Sequence, residues 1–106
     1  MITFRRDLYV GDSALKDKKR IVSDIRHHVY SFGVYVIVPA ANCRDIFDII
    51  PTFMLSDRGY KGRDLKILGL AQGKREAMEL CARMVGDVYE KTGGLDIRTF
   101  FSKEEQ

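Results

Sequence analysis

The sequence predicts a small α/β domain, two or three layers deep, with three helices against a three- to four-stranded mixed, mostly parallel sheet. Three observations point there. The 106 residues fit one domain with a core of its own. Apolar residues make up 45% and charged residues 31%, a globular balance that argues against disorder. Runs of β-branched residues then alternate with helical apolar stripes, in the order β-α-β-α-β-α-β.

Residues 4–10 end in Leu8-Tyr9-Val10 before Gly11 and read as a short strand at a sheet edge. Asp12 or Ser13 suits the cap of a following helix, because its side-chain oxygen can accept from the amides of the first turn. That helix is expected over residues 14–30, with Leu15, Val22, Ile25 and Val29 on one stripe and Ile21 beside them. His28 is placed toward the stripe and His27 toward solvent.

Val34-Tyr35-Val36-Ile37-Val38 is a continuous run suited to a strand covered on both faces. Asn42 is the expected cap of a second helix through Ile46, Phe47, Ile49 and Ile50, stopped or kinked by Pro51. Phe53, Met54 and Leu55 form a short helical piece, and residues 56–63 a polar loop. Residues 65–70 read as a second buried strand, joined to 34–38 by a right-handed parallel crossover. Residues 74–91 carry Ala77, Leu80, Cys81, Met84, Val85 and Val88 on one helical face, and Gly93-Gly94 stops that helix. Residues 96–101 alternate weakly and read as a last edge strand.

The net charge of +3 is unevenly spread. Residues 1–75 hold 14 Lys and Arg against 8 Asp, and residues 76–106 hold 4 against 7 Asp and Glu. A basic surface offered to an acidic partner follows naturally from this, and so does pairing between two copies. The first residues carry no apolar stretch of a secretory signal, no run is long enough to span a membrane, and two cysteines are too few for a disulfide scaffold. A cytoplasmic protein with no cofactor is expected.

Two segments carry the chemistry of anion binding. Gly73, Lys74 and Arg75 follow a strand and open a helix, where backbone amides and a lysine converge. The spacing from Gly69 to Gly73 is one residue short of a nucleotide-binding phosphate loop, and Arg75 stands where magnesium would need a hydroxyl, so nucleotide hydrolysis is not expected. Arg58, Tyr60, Lys61 and Arg63 interleave cations with an aromatic ring between two glycines, a pattern that grips phosphates and stacks a base. Lys16, Lys19, Arg20 and Arg44 would extend such a patch.

Nucleophilic and metal chemistry find less. His27 and His28 point about 100° apart on a helix and cannot chelate one ion together. Cys43 lies in the expected first turn of the second helix without a base beside it, and Cys81 reads as core. Asp45 and Asp48 share the expected short second helix, and Glu76 and Glu79 lie in the first turn of another, where acids stabilise the helix end. Residues 65–73, 76–80 and 88–98, with 6–10 near the start, resemble an uncharacterised group of small bacterial proteins over nearly the whole chain. That resemblance implies a stand-alone protein and supplies no substrate or catalytic residue. The expectation that follows is a non-enzymatic interaction or regulatory protein that acts as a homodimer on a protein partner; the alternative is a nucleic-acid-associated protein using the basic loop and patch.

Overall fold

The Val34–Pro39 run forms the central strand of the sheet, as its β-branched composition requires. In the computed structural model, which describes residues 2–40, 46–56, 64–94, 96, 100 and 101, the strands are β1 (Ile2–Val10), β2 (Val34–Pro39), β3 (Phe47–Pro51) and β4 (Leu65–Gln72). They lie in the order β1-β4-β2-β3. Only β1 and β4 run parallel; β2 is antiparallel to both β4 and β3. The described α-helices are α1 (Lys18–Arg26), led by a 3₁₀ turn Leu15–Asp17, and α2 (Lys74–Thr92).

Alternation along the strands separates two cores. Val36, Val38, Ile50, Ile67 and Leu70 meet Ile21 and Ile25 of α1 on one face. Ile37, Leu68 and Ala71 meet Ala77, Leu80, Met84 and Val88 of α2 on the other. The stack is therefore helix, sheet, helix. The alternation slips once in β4. Leu68 belongs to the α2 core, and a Cβ on Gly69 would lie 3.2 Å from Leu80, so two successive residues face α2. Opposite this slip β1 leaves the ladder: Phe4 pairs with Ile67, but the next paired residue, Tyr9, meets Gly69. Residues 5–8 bulge out of the sheet edge as a result.

Several expectations are corrected. The two central strands, 34–38 and 65–70, are indeed neighbours, but antiparallel, so no right-handed parallel crossover joins them and the sheet is not mostly parallel. The helix expected through residues 46–50 is strand β3, and the described helices number two, not three. Phe47, Ile49 and Ile50 fit helical spacing, but a short apolar run fits a strand equally, and here Phe47 and Ile49 face α2 while Ile50 faces α1. Pro51 ends this strand, opposite Tyr35. Ala40 N–H donates to Ile46 O at 3.3 Å, so by the alternation of antiparallel pairs residues 46, 48 and 50 bond β2 while 47, 49 and 51 turn their backbone outward. Pro51 thus loses no ladder bond, the condition under which proline is tolerated in an edge strand.

Helix α1 is shorter than residues 14–30, because the chain leaves it at His27 and His28 takes φ +61°. Ala14, Ile21 and Ile25 are its buried contacts, whereas Leu15 and Val29 are exposed. Neither Asp12 nor Ser13 caps it through a side chain. The expected final edge strand is not formed by its described residues: Phe100 and Phe101 are helical, and Phe100 N–H donates to Asp96 O. The short helical piece at 53–55 is present as the 3₁₀ segment Thr52–Ser56. The stop at Gly93 is present too, at φ +74°, a left-handed conformation that glycine adopts without a Cβ penalty.

Candidate functional site

Helix α2 has two unlike flanks on either side of its buried stripe. Toward β3 it presents Met78, Cys81, Ala82 and Val85, which line an apolar groove of about 470 Å³ with Ile46, Phe47 and Ile49. Toward β1 it presents Arg83 and Lys91, which line a polar groove of about 580 Å³ beside the β1 bulge. The spacing 83, 87, 91 repeats every four residues, which keeps Asp87 on the same flank and lets its carboxylate accept from the Tyr9 hydroxyl at 2.8 Å.

The polar groove is organised by Arg5. Its guanidinium lies 5.1 Å from the Tyr9 ring centre and 5.2 Å from that of Phe101, and it donates to the Asp7 carbonyl. Arg5 is only 8% exposed, unusual for an arginine, and both rings pack against its guanidinium. Arg6 and Lys18 line the same groove, with Asp7 and Asp12 as its acids. Sequence reading passed over Arg5 and Arg6. The Arg-Arg-Asp break in an otherwise apolar edge strand is the signal that could have marked the bulge.

Gly73 joins β4 to α2, and Lys74 and Arg75 open that helix. The amides of Gln72 and Gly73 have acceptors inside the fold. Gly73 N–H donates to Gly33 O, and Gln72 N–H donates to Glu76 Oε2 at 2.6 Å. Glu76 Oε1 also accepts from Ser13 N–H at 2.6 Å. The chain's own carboxylate thus stands at the turn where the sequence predicts an anion. Lys74 and Arg75 are exposed, and Arg75 lies 3.5 Å from Glu79 across one helical turn. Arg58, Tyr60, Lys61 and Arg63, with Arg44 and Cys43, lie outside the described residues. Lys16, Lys19 and Arg20 are exposed on the 3₁₀ turn and α1.

His27 and His28 are both exposed. His27 Nδ1 lies 2.7 Å from Ser23 O and His28 Nδ1 lies 3.1 Å from the Tyr30 hydroxyl. Among the described residues no group of three or more His, Cys, Asp and Glu side chains is placed to hold a metal, and no helix is long and apolar enough to cross a membrane. Burial pushes the Cys81 thiol up to about 11, so it is protonated at neutral pH and a weak nucleophile. Iodoacetamide at pH 8 is therefore expected to label Cys81 far more slowly in the folded protein than in urea, as peptide mass mapping would show. Equal rates in both states would contradict the burial.

The chain matches no family model, no curated protein and no solved structure in the comparisons made with known proteins.

Proposed function

We propose that this chain is an interaction protein that acts as a homodimer, joined edge to edge through β3. The observation that carries this reading is the contrast between the two edges of the sheet. The β1 edge is bulged and carries Arg5, Arg6 and Asp7, features that discourage strand pairing. The β3 edge is regular over its five residues, has Asp48 as its one charge, and adjoins the apolar groove.

A second copy completes that edge with no change of shape. About a two-fold axis at Ile49, the two Ile49 residues exchange their backbone bonds, and each Phe47 N–H meets the opposing Pro51 carbonyl. The sheet becomes continuous across the seam. The cross-strand neighbours on its α2 face are then Ile49 with Ile49 and Phe47 with Pro51, apolar pairs that favour the register. The apolar flanks of the two α2 helices lie on the same side of this sheet and face each other across the seam.

Light scattering of the purified chain is expected to give twice its 12.2 kDa. Ile49→Lys places like charges opposite each other at the seam, and is expected to give the monomer mass with an unchanged circular dichroism spectrum. A wild-type monomer at high micromolar concentration overturns the proposal, as does a dimer that Ile49→Lys leaves intact.

A further inference from the structure

We infer that the groove between the β1 bulge, α1 and α2 binds the phosphate backbone of a single-stranded nucleic acid. It lies on the opposite flank of α2 from β3 and does not depend on the homodimer. Arg5, Arg6, Lys18, Arg83 and Lys91 line it, against Asp7 and Asp12. The lining residues carry a formal excess of three positive charges, and Asp87, on the same flank of α2, is held by the Tyr9 hydroxyl.

The cations are built in to different degrees. Arg5 is buried, with the Tyr9 and Phe101 rings packed against its guanidinium. Arg83 is positioned by its donation to the Val10 carbonyl at 3.3 Å, and Lys91 stands 5.7 Å from the Phe100 ring centre. The side chains of Arg6 and Lys18 make no ion pair or hydrogen bond among the described residues, and are available to a ligand. Arg83 and Lys91 are eight residues apart, about 12 Å along α2. That length spans about three to four phosphates of a stacked strand, which rises about 3.4 Å per nucleotide. Charge spread along an open trough suits a repeating phosphodiester better than one compact phosphate cluster. Leu8 and Leu15, which also line the groove, offer apolar surface to bases.

The test is fluorescence anisotropy with a labelled oligothymidylate of about 12 nucleotides, within the range of single-strand site sizes. With about three phosphates engaged, log affinity falls with log salt at a slope near −2, so binding weakens about twentyfold from roughly 50 to 200 mM salt. Arg6→Ala/Lys18→Ala is expected to weaken low-salt binding about tenfold and to flatten the slope by about one, without changing the circular dichroism spectrum. Lys74→Ala/Arg75→Ala removes the same charge outside the groove and is expected to bind like wild type. The inference is overturned by no binding at low salt, by equal losses in the two double variants, or by displacement with ATP at equal phosphate concentration. The last result would identify a small-phosphate site instead. Because Ile49 lies on the β3 side of α2, outside the cationic groove, the effect of Ile49→Lys on mass and the groove variant's effect on anisotropy report separately on the two proposals.

Discussion

Phe101→Ala is expected to lower the melting temperature of this protein by roughly 15–25 °C, the largest effect of any substitution considered. The ring is 2% exposed and sits in the α2 core, although it lies outside every strand and outside α2 itself. Phe100, Phe47 and Tyr9 surround it, with ring centres 5.0, 6.2 and 6.5 Å away. The Arg5 guanidinium covers one more side, and Lys66 Nζ donates to the Phe101 carbonyl at 3.0 Å. Removing a buried Phe ring costs about 3–5 kcal/mol, from lost transfer energy and from the cavity left behind. A domain of this size shifts about 4–8 °C per kcal/mol, and its whole stability is only about 5–15 kcal/mol. Phe100→Ala, at a half-buried ring, is the control and is expected to lose roughly 1–2 kcal/mol. A thermal melt in which Phe100→Ala costs as much as Phe101→Ala would remove Phe101 from the core. Because the same ring covers Arg5, Phe101→Ala is also expected to loosen the cationic groove, so its melt should be read before any binding assay uses it.

The placement of Phe101 marks where sequence reading stopped. Helix α2 was legible because nineteen residues repeat one apolar period and end in a left-handed glycine. Strands β2 and β4 were legible because both faces are covered and the runs are continuously apolar. Their direction was not legible. A parallel pair needs a helix between its strands, and residues 46–50 supply helical spacing and strand composition alike. What decides the matter is the pairing of Val34 with Gln72 and of Val36 with Leu70, contacts between distant residues that no local window contains. The groove was hidden for the same reason. Arg5 and Arg6 are separated in sequence from Arg83 and Lys91, and only the parallel β1–β4 pair, with α2 crossing its face, brings them together. Glu76 reads from sequence as an acid that stabilises the start of a helix, yet in the fold its carboxylate accepts from two backbone amides, one of them far away in sequence.

Glu76→Ala is expected to cost about 2–4 kcal/mol and to loosen the start of α1. The carboxylate accepts from Ser13 N–H and from Gln72 N–H, each at 2.6 Å, and so ties the β1–α1 turn to the β4–α2 turn. Hydrogen bonds to a charged group contribute about 1.5–3 kcal/mol each, and the exposure of Ser13 lets water recover part of that loss. Gly11 makes room for this arrangement, since a Cβ there would lie 2.5 Å from the Glu76 carboxyl carbon. Gly11→Ala is therefore expected to push the carboxylate off its two amides and to cost nearly as much as Glu76→Ala. The two losses share one cause, so the double variant should be little worse than either single, with a coupling of about 1–3 kcal/mol in a denaturant cycle. Strict additivity would mean that Gly11 serves the backbone alone. Glu76→Gln separates charge from shape: its amide keeps the acceptor for one N–H and turns a donor toward the other, so it should recover less than half of the loss. Full recovery would show that the bridge depends on packing rather than on the charge of the carboxylate.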